Sequence, residues 1–313
     1  MKENPTLKLD VAFDHYLNLR TREQAAHLVN GVPDYAFSMD QKMLQGLRAM
    51  APIRIFFEAF TKWLVPYMKK TLAMDCVAVG PNQYPELFAI GEECARRLGI
   101  GVPQIFVKYD PVMNAYTFAT DNNAPVIVFH SALIENYSHD EIRTIMGHEC
   151  GHIHNQHGIF HYAAEMLTNI SLQAGASLFP GAGAIFSLLT FAARIYLLRW
   201  ARCGEISCDR AGLICSPNLK TAMMAQAKLA FGGVDKLQNI NLDEYIKQIS
   251  QFQSTPVRFL EYFRTHPLIP KRIESLRLFN ECEVLYSWRP DLKTPGMQTE
   301  PKSEIDRKCE SFI

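Results

Sequence analysis

Net charge is absent from this chain. Lysine plus arginine and aspartate plus glutamate number 32 each across 313 residues, so no basic field invites nucleic acid. Paired cysteine spacings are absent as well. The eight cysteines (76, 94, 150, 203, 208, 215, 282, 309) are scattered and read as reduced thiols of an intracellular protein. The first residues, Met1-Lys2-Glu3-Asn4-Pro5, lead into a charged segment without an apolar signal-peptide core, which points away from export and toward a cytoplasmic location. Cys309 stands one residue too far in for a prenylation signal. What is present is ordinary for a globular protein, 48% hydrophobic and 20% charged residues, with ample material for a core.

Hydrophobic periodicity divides the chain. Residues 7–75 read as helical: a polar segment from about Val11 to Val29, ending near Gly31 and Pro33, then Pro52 to Leu72. In the second, Arg54, Glu58 and Lys62 recur at four-residue steps and leave one polar stripe. This suits a scaffold helix, so residues 1–80 are expected to pack on the domain that follows as an N-terminal helical segment. A helix from about Glu86 to Leu98 closes at Gly99. Then the period shortens. Gln104 to Val107, Asn114 to Ala119 and Val126 to Phe129 read as strands of a small sheet.

Residues 166–193 carry no charged side chain, but Pro180-Gly181-Ala182-Gly183 breaks the run, which predicts two helices joined by a turn. The length also suits a bilayer, so an apolar hairpin over 166–198 leaves open burial, association with a membrane surface and insertion. A further helix is expected from Ile195 to Ile214, and a helical region from Asp243 to Asn280 interrupted by Pro256 and Pro267. The polar, proline-containing tail, 286–313, is expected to be disordered. The class is α+β, mainly α-helical, with a small β-sheet.

Ser138-His139-Asp140-Glu141 has the capping-box pattern. The helix it starts runs through Ile142, Ile145 and Met146 into His148-Glu149-Cys150-Gly151-His152. Two imidazoles four residues apart leave one face of a helix and can share one Zn²⁺, with the intervening carboxylate in reach of a metal-bound water. A catalytic zinc needs a third protein ligand. The long histidine version of the motif fails, because Asn155 and Gly158 stand at its glycine and third-histidine positions. His154, His157 and His161 fit no ligand spacing and read as solvated, or as supports for the ligands. Glu205 and Asp209, one turn apart, offer another route: Glu205 on the metal, Asp209 accepting from the far nitrogen of a ligand histidine. Flanked by Arg202 and Arg210, the same pair also suits a salt-bridged helix surface. Gly204, Ala211 and Gly212 favour close helix packing.

With Glu205 to Ala211 reading E-x-x-x-D-R-A behind H-E-x-x-H, the chain resembles the M48 peptidases, which include the Ste24 and HtpX groups. Pro125 to Leu133 followed by Asp140-Glu141 is similar to that family's lead-in to its zinc helix. Asn114-Ala115-Tyr116-Thr117 resembles its cleft strand, with Tyr116-Thr117 where Phe-Ala is usual. Thr265 to Ile273 resembles its late T-H-P…R-I segment. The likeness covers about 85–280 and lacks the N-terminal membrane spans of the HtpX group.

The resemblance implies a zincin-like (gluzincin) catalytic domain, taken as 81–285, with one Zn²⁺ per chain on His148, His152 and Glu205. It implies Glu149 as general base, His266 meeting the oxyanion with Arg272 nearby, and an extended polypeptide substrate along Asn114, Ala115, Tyr116 and Thr117. A binding protein without turnover, or a membrane-embedded quality-control protease, would keep the same motifs.

Overall fold

The computed structural model describes residues 27–49, 67–68, 70–72, 74–120, 123–158, 160–161, 164, 183–231, 241–251, 264 and 266–313. Most of the expected helix from Val11 and most of that from Pro52, the turn at Pro180 to Ala182, Pro256 and Thr265 lie outside these residues.

The described residues are mainly helical with two small sheets. Leu28–Val29 (β1) and Val32–Pro33 (β2) form an antiparallel hairpin. Asn30 and Gly31 link them with φ of 55° and 78°, the positive angles that an Asn-Gly hairpin turn requires. This corrects the helical reading, which ran to Val29. Ser38–Ala49 (α1) follows.

The second sheet has the order β3-β4-β6-β5. Gln104–Lys108 (β4) runs parallel to Asn123–His130 (β6) at its centre, and the apolar side chains of both are buried. Cys76–Ala78 (β3), not anticipated in the sequence, pairs antiparallel with β4 on one side. Ala115–Thr120 (β5) pairs antiparallel with β6 on the other side and is the edge strand among the described residues. Between β3 and β4, Pro85–Leu98 (α2) ends on Gly99, whose φ of 69° gives the left-handed cap.

After the short helix Ser131–Asn136 (α3) comes His139–His154 (α4). Its capping box is closed: the Ser138 amide donates to Glu141 Oε2 at 2.8 Å, and the Glu141 amide to Ser138 Oγ at 3.3 Å. Gly183–Cys215 (α5) is one uninterrupted helix. The expected break before Ile195 is missing, since nothing between Gly183 and Cys215 interrupts the helical pattern. The second arm of the apolar run and the Glu205 segment are thus one rod. Leu219–Phe231 (α6), Leu242–Gln251 (α7), Ile269–Asn280 (α8) and Glu283–Trp288 (α9) complete the bundle. Among the described residues, no helix is long and apolar enough to cross a membrane.

The tail corrects a second expectation. Residues 286–313 are ordered, and Lys302–Cys309 (α10) packs against α8. Ile305 and Cys309 are fully buried. Asp306 reaches Arg210 of α5 at 2.7 Å and the Ser38 amide at 3.1 Å. A polar composition argues for disorder only while its charges have no buried partner. Here Arg210, itself fully buried, supplies one.

Candidate metal centre

Helices α4 and α5 lie side by side, and glycine makes their approach close. A Cβ on Gly151 would sit 2.9 Å from Ala211 Cβ and 3.0 Å from Cys208 Cα. One on Gly147 would meet Cys215 Cβ at 2.5 Å, and one on Gly212 the Thr144 carbonyl at 3.0 Å. Both helices therefore carry small residues where they touch. The tight seam brings Glu205 and Asp209 to the His148/His152 face.

The four side chains converge. His148 Nε2 lies 3.6 Å from Glu205 Oε2, and His152 Nε2 lies 3.6 Å from Glu205 Oε1. The far nitrogens are engaged elsewhere. His148 Nδ1 is 3.0 Å from Asp209 Oδ1, and His152 Nδ1 is 3.0 Å from His157 Nδ1. All of these residues are buried.

Charge is balanced locally. Burial opposes ionisation of Glu205, but His266 and Arg272 outweigh it and hold the carboxyl well below its usual range. His266 Nδ1 is 2.8 Å and Arg272 Nη1 3.1 Å from Glu205 Oε2. Arg272 also grips Asp209, from Nε at 2.8 Å and from Nη2 at 2.6 Å. Gln226 Nε2 adds a third donor to Asp209 at 2.7 Å. Burial opposes charge on His148 too, yet the Asp209 hydrogen bond and Glu205 raise it above an ordinary imidazole. Burial, reinforced by His161, pushes His152 well below one. Burial also raises the Glu149 carboxyl, against the pull of His148 and of the Thr117 hydroxyl. That hydroxyl donates to Glu149 Oε2 at 2.6 Å.

The residues fit a metal ion. Glu205 Oε1 is buried and accepts no hydrogen bond, while Oε2 faces His266 and Arg272. Around an ion with bonds of about 2.0–2.1 Å, tetrahedral ligand atoms stand roughly 3.4 Å apart, close to the two 3.6 Å separations here. Two imidazoles and a carboxylate are a donor set that zinc accepts.

Spacing alone did not reveal every residue at the site. His161 lies beside His152 with ring centroids 4.1 Å apart, and His152, His161 and Glu205 also offer ligand atoms within 4.8 Å of one another. His148, His152 and Cys208 do the same, but Cys208 Sγ sits 3.6 Å from His157 Nδ1, on the far-nitrogen side of His152. His157 and Asp40 join behind His152 at 2.9 Å. Asp40 carried no sequence signal, because His157 is more than a hundred positions away. Asn114 and Ala115 lead into the edge strand, where Tyr116 packs edge-on against His130 with ring centroids 5.9 Å apart.

Comparison with known proteins gives the family. The model of peptidase family M48 matches residues 81–279. The chain belongs to peptidase family M48. It is 33% identical over 176 residues to the plastoglobule-localized metallopeptidase 48 of Arabidopsis thaliana, covering 56% of this chain and 49% of that protein. It is 24% identical over 265 residues to protease HtpX of Stenotrophomonas maltophilia, covering 76% of this chain and 89% of that one. The match thus spans about half the length of the plastoglobule relative. Among solved structures, Ste24p of S. mikatae aligns with a TM-score of 0.45 and 17% identity, over 76% of this chain and 60% of that one. The M48 match contains His148, His152, Glu205, Asp209, His266 and Arg272, while Asp40 precedes it.

Proposed function

We propose that this chain is a zinc-dependent endopeptidase of the gluzincin type that hydrolyses peptide bonds in extended or unfolded protein segments. The observation that carries the reading is the convergence of His148, His152 and Glu205 beside a carboxylate, Glu149, that a structural metal site would not need.

One zinc ion held by His148, His152 and Glu205 would supply Lewis acidity, acidifying water and polarising the scissile carbonyl. The protein does the rest. Glu149 takes a proton from the attacking water and passes it to the leaving amine. Its raised affinity for protons suits a group that must accept one before releasing it. Thr117 anchors the carboxylate in the meantime. Asp209, clamped by Arg272 and Gln226, orients His148. His266 is assigned to meet the oxyanion, its side chain being 46% accessible, whereas Arg272 is committed to two carboxylates. We therefore assign Arg272 to holding the site rather than touching substrate.

The edge strand β5 supports the substrate class. Among the described residues β5 lies at the edge of its sheet, and an extended chain can add to a sheet edge through backbone hydrogen bonds where a folded one cannot. Thr117, on the same strand, touches the base, so a peptide on this edge passes the reacting groups. The setting we propose is cytoplasmic.

The test pairs wild type with Glu149→Gln. Equal zinc content, with cleavage of an unfolded protein by wild type alone, is the expected result. Equal cleavage by both proteins would remove Glu149 as base. Zinc uptake without cleavage by either would favour a binding protein instead.

A further inference from the structure

The two ligand histidines are oriented by different means. His148 has a carboxylate directly on its far nitrogen. His152 has another imidazole there, His157, and a carboxylate only behind that. The second arrangement is a three-residue chain that begins outside the family-matched segment, at Asp40 in the first turn of α1.

Hydrogen-bond roles along this chain follow from its donors. Asp40 is fully buried, and an ionised carboxylate only accepts. Trp200 Nε1, which only donates, is 2.9 Å from Oδ1. Ser207 Oγ is 2.5 Å and His157 Nε2 2.9 Å from Oδ2. His157 therefore carries its proton on Nε2 and presents the bare Nδ1. That atom faces His152 Nδ1 at 3.0 Å and the Cys208 thiol at 3.6 Å. His152 must then hold its own proton on Nδ1, which leaves the Nε2 lone pair toward Glu205. This is the only neutral form of His152 that can bind a metal at that position.

The surrounding structure is fitted to the chain. A Cβ on Gly204 would lie 3.1 Å from His157 Cε1, so the glycine next to ligand Glu205 makes room for this ring. His157 also stands edge-on to Trp200, with ring centroids 5.5 Å apart. Ser207, besides donating to Asp40, accepts the Phe37 amide at 3.0 Å, which ties the start of α1 to α5.

We propose that Asp40 and His157 are positioning residues that set the tautomer of His152. The segment preceding the family domain thereby completes the metal site. This rests on the zinc reading above, and its test separates the two.

Zinc affinity is measured by chelator competition on the full chain, alongside the thermal midpoint of the metal-free protein. In Asp40→Asn, the amide nitrogen can turn toward His157 and reverse the proton order, and affinity should fall by about 10–100-fold. His157→Leu should do the same. His157→Gln, whose amide can accept from His152 and donate to Asp40, should recover most of it. Ser38→Ala loosens the docking of α1 through Asp306 without touching this chain and should leave zinc affinity unchanged.

Wild-type affinity in both Asp40→Asn and His157→Leu would overturn the inference. So would a loss in every variant, Ser38→Ala included, that merely tracks metal-free stability. If Asp40→Asn does not fold, the His157→Leu and His157→Gln pair decides alone. Failure of the metal reading looks different: wild type would take up no zinc, or His148→Ala would take up as much as wild type, and this inference would fall with it.

Discussion

Thr117 donates its hydroxyl to the Glu149 carboxylate at 2.6 Å and reaches the same residue's backbone carbonyl at 3.1 Å. A threonine on the edge strand thus holds the assigned base. A hydrogen bond to a carboxylate favours its charged form, so removing the donor raises the carboxyl further. The base works only when ionised. Thr117→Val should therefore move the acidic limb of the kcat/KM profile to higher pH. A charge-assisted bond is worth about 1.5–3 kcal/mol, which caps the accompanying rate loss at roughly 10–100-fold. A pH profile of the variant that overlays wild type would mean that Thr117 does not hold the base in the working enzyme.

Arg272 neutralises two buried carboxylates at once, Asp209 through a fork and Glu205 through Nη1 at 3.1 Å. Arg272→Met should cost about 3–5 kcal/mol in the metal-free protein, because both charges stay buried with less compensation. Zinc should restore part of that, since only the folded form binds it well. Arg272→Lys should rescue poorly, as a single ammonium cannot reproduce the fork. Thermal unfolding with and without zinc reads all three. A lysine variant that melts like wild type would show that charge alone matters here.

Gly151 stands between the two ligand histidines, where helix propensity and packing pull in opposite directions. Alanine should gain about 1 kcal/mol as a helix former. Its methyl group, however, would lie 3.0 Å from Cys208 Cα, a backbone atom that cannot step aside. Overpacking of this kind costs about 1–3 kcal/mol, so packing wins. Gly151→Ala should lower the urea midpoint and weaken zinc binding together. A stabilised variant would show that the seam has slack.

What the sequence disclosed was local. The Ser138/Glu141 capping box and the Gly99 cap involve residues within a few positions of each other, and both formed. The close packing of the Glu205 helix was legible through the small residues Gly204, Ala211 and Gly212, and it is what brings Glu205 to His148 and His152. Asp40 was not, because an aspartate in a first helical turn looks like any dipole partner. Its meaning comes from His157, Trp200 and Ser207, all more than a hundred residues on. The Asn30-Gly31 hairpin was written in the sequence, and a helical reading of the segment passed over it. The tail failed for the same reason as Asp40: polarity was visible, and its buried partner was not.

That partner gives the tail a testable acid sensitivity. Burial works to raise the Asp306 carboxyl, but Arg210 at 2.7 Å and Lys302 at 2.9 Å, helped by Ser38, hold it below its ordinary value. A depressed carboxyl stabilises the folded state above the unfolded value, about 3.9, and that stabilisation drains away as pH falls through the folded value. Asp306→Asn leaves Arg210 buried without its counter-charge, so at pH 7 it should cost about 3–5 kcal/mol. Below about pH 4 the gap in melting temperature between wild type and variant should narrow, since wild type then loses the same charge. A gap that stays constant from pH 7 to pH 3 would mean that Asp306 acts through packing alone, and that α10 is held by Ile305 and Cys309 rather than by the ion pair.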